Sequence, residues 1–140
     1  MLDRLRAWLG RHPWYVGATF VFCAFMALVY SPFDILIKPL YQDVALAEDV
    51  WFGFELRGMQ AKLTEPLHWA IYGTLTWGFW KERPWVWPLA TIYVAQVALA
   101  MLVWNLREED GGGWIMGLGA FAIFAALAVA LWRARPRAAS

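Results

Sequence analysis

The sequence predicts an all-α integral membrane protein, a four-transmembrane-helix bundle with an amphipathic segment between helices 1 and 2. Of the 140 residues, 61% are hydrophobic and 16% are charged, whereas a soluble domain of this size has about a quarter of its residues charged. The charges are clumped, which leaves uncharged runs over residues 13–32, 66–80, 84–106 and 111–132. Runs of about 20 residues match the roughly 30 Å hydrocarbon core of a bilayer.

Helix 1 is predicted over residues 14–30, with Ser31-Pro32 at its end. A cleaved secretory signal is the alternative for this run, but no small-x-small cleavage site follows Tyr30. An outer segment over residues 41–62 comes next. Its apolar residues recur at helical spacing and predict an amphipathic helix at the outer membrane surface or across the bundle mouth. They are Val44, Ala47, Val50, Trp51 and Phe54.

Helix 2 is predicted over residues 65–80, with Thr64 as its cap and Pro66 in its first turn. This length is short for a full crossing. Either the helix also includes residues 61–64, or the bilayer thins locally.

Helix 3 is predicted over residues 84–106 and helix 4 over residues 114–132. Helix 4 carries small residues close to every fourth position, which let helix backbones approach each other in lipid. We expect this face to pack inside the bundle or against a second copy. Its members are Gly119, Ala122, Ala126 and Ala130.

The charges of the loops predict the orientation. Arginine and lysine precede helix 1, occupy the turn between helices 2 and 3, and follow helix 4, whereas the other loops are acidic. By the positive-inside rule both termini are cytoplasmic, as an even number of spans also requires. We predict location in a bacterial inner membrane, with most tryptophans anchoring helix ends at the headgroups.

Several function classes are disfavoured by composition. The net charge of +1 and the lack of a basic stripe argue against a nucleic-acid partner. Cys23 is the only cysteine, and the two histidines, His12 and His68, fall on opposite sides of the predicted membrane. We therefore expect no metal centre, no haem held by two histidines and no other cofactor.

One polar set is predicted near the outer mouth. Asp34 follows helix 1, Glu65 and His68 share a face of helix 2, and side chains of helices 2 and 3 project into the same bundle. Carboxylates at the edge of lipid are costly unless paired, hydrated or functional. They either cap helix ends, or bind an amine or cation, or move a proton on a lipid-soluble substrate. The candidate ligand-binding residues are Asp34, Glu65, His68, Trp69, Tyr72, Tyr93 and Gln96.

The pattern resembles the EXPERA domain family, which includes the emopamil-binding sterol isomerase and the sigma-2 receptor. The resemblance rests on Phe33-Asp34, on Glu65-Pro66-Leu67-His68-Trp69 and on the run from Trp87 to Tyr93. It implies an occluded, aromatic-lined pocket, with Asp34 and Glu65 as polar groups and Trp69 and Tyr93 shaping the walls. Family members carry acidic groups within the second helix. This chain has Tyr72 and threonines there, so isomerase activity is left open.

The leading interpretation is a small polytopic membrane protein that binds a hydrophobic, lipid-like or sterol-like molecule in an intramembrane pocket near its outer mouth. The alternative is a non-catalytic accessory subunit that packs against a larger membrane complex. Membrane lipids, a hydrophobic small molecule and either a second copy or a larger complex are the expected partners. The sequence does not identify the ligand or the oligomeric state.

Overall fold

The computed structural model describes residues 2–108 and 111–136. These residues form five α-helices and one short hairpin. The helices are α1 (Leu2–Arg11), α2 (which begins as Trp14–Phe25), α3 (Met59–Trp80), α4 (Val86–Arg107) and α5 (Gly113–Ala134), and the strands are β1 (Glu48–Trp51) and β2 (Phe54–Arg57).

Among the described residues, three helices are long and apolar enough to cross a bilayer: Trp14–Leu40, Val86–Arg107 and Gly113–Ala134. The chain is therefore a predominantly helical protein with the features of a membrane protein. The predicted second span corresponds to α3, which has 22 residues but does not belong to this apolar set. A bundle of four crossing helices thus stays a prediction.

Consecutive long helices pack antiparallel. Along α2 and α3, Phe20 stacks near Trp80, whereas further up α2 the carbonyl of Ala27 accepts a 2.7 Å hydrogen bond from the Trp69 indole. The two helices therefore run in opposite directions. The turn that follows α4 is closed by Asn105, whose side-chain oxygen accepts from the backbone of Gly112 at 3.0 Å.

The prediction that Ser31-Pro32 ends helix 1 is wrong. The helix continues to Leu40 through π-helical turns at Met26–Tyr30 and Phe33–Ile37 and a 3-10 turn at Lys38–Leu40. Proline in an ordinary α-helix clashes with the carbonyl four residues earlier and leaves it without a donor. The wider π-helical turns on both sides of Pro32 shift the hydrogen bonds to a spacing of five residues. Asp34 consequently lies inside α2 rather than after it.

The amphipathic helix predicted within residues 41–62 is also wrong. A 3-10 turn at Val44–Leu46 leads into an antiparallel hairpin in which Trp51 pairs with Phe54. Its two turn residues, Phe52 and Gly53, have φ of 52° and 85°, as a two-residue hairpin turn of the twisted type requires. A side chain at Gly53 would overlap Val103 of α4. Aromatic and β-branched residues favour the strand over the helix here.

The start of helix 2 needs the same kind of correction. The helix α3 begins at Met59, so residues 61–64 do extend it, as one of the two sequence alternatives had it. Pro66 lies inside the helix, and Thr64 bonds the carbonyl of Ala61 instead of capping. The predicted bounds of helices 3 and 4 agree with α4 and α5 to within two residues at each end.

The N-terminal helix α1 was not predicted. Its Trp8 is 3% exposed, stacks on His12 with ring centroids 4.3 Å apart, and contacts the tilted ring of Phe20 at 4.6 Å. His12 in turn faces Trp87 of α4, and Arg11 forms a 3.0 Å ion pair with Glu82 of the α3–α4 turn. The helix α1 therefore closes one end of the bundle, which we call the α1 end. The opposite end, with β1 and β2, is the hairpin end.

Candidate ligand cavity

A cavity of about 750 Å³ lies between α2, α3, α4 and the hairpin. Its size falls in the range typical of small-molecule sites, about 300–1,000 Å³. Acidic side chains, one histidine and three tyrosines share its wall with apolar and other aromatic residues. The main lining residues are Phe25, Met26, Tyr30, Asp34, Glu48, Asp49, Glu55, Glu65, His68, Tyr72, Tyr93, Gln96, Val97, Ala100, Met101 and Trp104.

Two buried carboxylates at this cavity are each paired with a lysine. Asp34 contacts Lys38, one helical turn along α2, at 2.8 Å, and Glu65 contacts Lys62 of α3 at 2.8 Å. The Lys62 ammonium also donates to the backbone carbonyl of Asp34 at 3.0 Å. One lysine therefore links α3 to α2 while it neutralises Glu65, which lowers the cost of placing these groups away from water.

Asp49 attaches the hairpin to α3. Its carboxylate accepts a 2.7 Å hydrogen bond from Thr64 and lies 3.2 Å from Nδ1 of His68, and the Trp51 indole of the same strand donates to it at 3.0 Å. Burial by itself would raise the pKa of Asp49. The hydrogen bonds from His68, Thr64 and Trp51 outweigh burial and lower that pKa below its usual value.

His68 lies between this carboxylate and an aromatic ring. Trp51 stacks on it with centroids 4.1 Å apart and planes inclined by 8°. One ring nitrogen faces Asp49, so the imidazole has a fixed orientation at the wall of the cavity. An imidazole oriented by a carboxylate is an arrangement suited to proton transfer.

A pair of hydrogen-bonded tyrosines lies further along α3 toward its C-terminal end. The hydroxyl of Tyr93 on α4 donates to the hydroxyl of Tyr72 on α3 at 3.0 Å, and the two rings meet edge to face. Both tyrosines line the cavity, as does Gln96, which is one turn from Tyr93 on the same face of α4. Seven residues of α3 separate Tyr72 from Glu65, a rise of about 10 Å at 1.5 Å per residue.

Six of the seven predicted ligand residues line this one cavity: Asp34, Glu65, His68, Tyr72, Tyr93 and Gln96. Trp69 does not. Its indole bonds the carbonyl of Ala27 on α2, so it joins two helices instead of shaping the wall. Whether these residues bind a ligand stays a prediction.

Sequence reasoning missed Asp49, Trp51 and Lys62 as parts of the site. Asp49 lies in the segment predicted as an amphipathic helix, and only the hairpin directs it toward His68 and Thr64. The spacing of Lys62 and Glu65 could have indicated their pairing.

The small-residue face of α5 lies apart from the cavity. Gly119 has open space where a side chain would start, and Ala122 and Ala126 are exposed. Ala126 and Ala130 line a shallow groove with Tyr15 of α2 and Arg133. The small-residue face therefore does not pack inside the bundle, which was one of the two predicted alternatives. The other, packing against a second copy, stays a prediction.

The cavity wall is rich in acidic side chains. Among the described residues that line it, five are carboxylates and none is lysine or arginine. The lysines that pair with Asp34 and Glu65 stand outside the lining. Within the described part of the chain, no group of three or more histidine, cysteine and acidic residues could hold a metal ion.

Comparison with known proteins gives no relative. No family model, no curated protein and no solved structure matches this chain.

Proposed function

We propose that the chain is a membrane protein of four crossing helices that holds a hydrophobic, lipid-like or sterol-like molecule in the cavity at its hairpin end. The observation that carries the proposal is the cavity itself. It has the volume of a small-molecule site, and it joins an apolar wall from Phe25, Val97 and Ala100 to a carboxylate-rich region at Asp34 and Glu65. An amphiphilic molecule matches that division, with its skeleton against the apolar wall.

The position of α3 supports a fourth crossing. This helix runs alongside α2, from Glu65 near Asp34 to Trp80 near Phe20. Its charged residues lie at the hairpin end, where Lys62 and Glu65 neutralise each other. A segment beside a spanning helix, with its charges paired at one end, meets the requirements for crossing lipid.

The distribution of basic residues supports an orientation with both termini in the cytoplasm. Arg11 contacts the α3–α4 turn, and Arg133 shares a groove with Tyr15 at the start of α2. These basic segments belong to the α1 end, whereas Lys38 and Lys62 at the hairpin end are paired with cavity carboxylates. By the positive-inside rule, the end with the excess of arginine and lysine in its loops faces the cytoplasm.

The His68 imidazole, fixed by Asp49, is the group that would move a proton if the ligand is also isomerised. Binding does not require that step, and the proposal rests on binding alone. The proposed resemblance to EXPERA proteins agrees with a sterol-like ligand.

The test is native mass spectrometry of protein purified in mild detergent. Val97 lines the cavity, so Val97→Trp should fill it and remove a molecule that the wild type retains at fixed stoichiometry. Leu99→Trp is the matched control, because Leu99 is 56% exposed on the same helix. Retention by the Val97 variant, or no retained molecule in the wild type, would contradict the proposal.

A second candidate function is that of an accessory subunit, favoured by the exposed small residues of α5. A helix of a partner can approach closely at Gly119, Ala122 and Ala126 because these small residues are exposed on α5. Under this proposal Ala126→Leu should release a partner during gentle purification, and Ile123→Leu, on a neighbouring exposed position, should not. A clean monomer from wild-type membranes would argue against it.

A further inference from the structure

The paired tyrosines of the cavity leave one hydrogen-bond donor without a protein acceptor. Tyr72 and Tyr93 share a single 3.0 Å hydrogen bond. Two phenol groups bring two protons, and one bond uses one of them whichever hydroxyl donates. Among the described residues neither hydroxyl has another partner. One O–H group is therefore free to donate into the cavity that both residues line.

The free donor faces a cavity whose wall is partly apolar. Phe25, Val97 and Ala100 line it and offer no side-chain acceptor, and the thioether of Met26 is only a weak one. A polar hydrogen turned toward apolar groups loses a bond that water would have given it. An acceptor supplied from within the cavity would satisfy it.

Gln96 adds a second polar group on the same side. It lies one turn from Tyr93 and lines the cavity, and among the described residues its amide has no hydrogen-bond partner. A primary amide can donate and accept. The tyrosine pair and Gln96 therefore form one polar point about 10 Å along α3 from Glu65, set within apolar wall.

We propose that this point binds an oxygen atom of the ligand, a carbonyl or hydroxyl group on an otherwise apolar skeleton. The ligand oxygen accepts a hydrogen bond from the free tyrosine hydroxyl and contacts Gln96. This inference rests on the proposed function and adds to it the chemical group that the cavity selects. A pure hydrocarbon of the same shape leaves the donor unsatisfied.

The experiment compares oxygenated and oxygen-free probes of one shape. The protein in lipid nanodiscs is loaded with 5α-cholestane and an equal amount of cholest-4-en-3-one, or in a second sample of cholesterol. The occupancy of each probe is read by native mass spectrometry. One neutral hydrogen bond predicts roughly a three- to tenfold preference for each oxygenated probe. The two samples separate carbonyl from hydroxyl recognition.

Variants assign the preference to the tyrosines. Tyr72→Phe/Tyr93→Phe should bind all probes and lose the preference, because the skeleton contacts remain while both donors are gone. Tyr41→Phe is the matched control, since Tyr41 is 66% exposed and lies outside the cavity lining. The carbonyl stretch of bound cholest-4-en-3-one should lie at lower frequency in the wild type than in the double variant.

Two results would overturn the inference. Equal occupancy by 5α-cholestane and the oxygenated probes in the wild type would show that no oxygen is selected, while the proposed hydrophobic cavity would stand. Persistence of the preference in the double variant would place the oxygen elsewhere. Absence of every probe and of any retained lipid would reject the cavity function along with the inference.

Discussion

The two ends of the bundle are held together in different ways. At the α1 end, buried aromatic and aliphatic side chains fill the space between helices, with Phe79 at 1% exposure and Trp87 meeting it edge to face. At the hairpin end the helices surround a cavity, and their links are the Lys62 contacts and the bonds of Asp49. Where packing is incomplete, polar pairs supply the connection. This difference separates a structural half from a candidate binding half.

The largest expected effect lies at the α1 end. Phe79→Ala removes a ring from the filled core and should lower the free energy of unfolding by about 3–5 kcal/mol. Val97→Ala, beside the existing cavity, should cost about 1 kcal/mol or less, since its surroundings are already open on one side. Thermal unfolding in one detergent measures both variants. Equal losses would remove the distinction between a filled and a hollow end.

A smaller effect is expected from breaking the ion pair of α3. Glu65→Gln leaves the Lys62 ammonium, whose side chain is 14% exposed, without its carboxylate, and should destabilise by about 2–3 kcal/mol. Replacing both residues, as in Lys62→Met/Glu65→Leu, should recover most of that loss because no charge remains buried. Thermal unfolding of the single and the double variant measures this recovery. A double variant no more stable than the single one would contradict the expectation that an unpaired buried charge causes the loss.

The smallest expected effect is the pH dependence of the hairpin. Because the folded pKa of Asp49 is below the usual value of 3.8, its bonds contribute stability that is complete above 3.8 and is lost as pH falls below it. Hydrogen exchange of the hairpin amides, compared at each pH with Asp49→Asn, should show protection at about pH 5 that declines as the pH falls below 3.8. Protection that does not change with pH would show that packing, rather than Asp49, holds the hairpin.

What the sequence predicts best is the set of long apolar helices. The uncharged runs place α4 and α5 to within two residues at each end, since length and hydropathy alone decide them. The site was predicted for the residues that project from helices, such as His68 and Tyr93. Asp49 and Trp51 were not, because Val50, Trp51 and Phe54 fit a helical period and a strand equally well over so short a stretch.

The remaining errors have two causes, an unusual local helix geometry and contacts distant in sequence. Pro32 is a helix breaker by local rules, and only the π-helical turns around it carry α2 through. Trp8 precedes the first apolar run and gave no periodic pattern. Its burial depends on Phe20 and on the His12 ring beside Trp87, which no local pattern contains.

The docking of α1 also sets an order of events during synthesis. Its Arg11 partner, Glu82, lies 71 residues later in the chain, so the ion pair has to wait for the α3–α4 turn to leave the ribosome. At 5–20 residues per second that wait is on the order of 4–14 s. Until then the arginines of α1 are free to interact with lipid headgroups, and the helix closes the bundle only after α2 and α3 are in place.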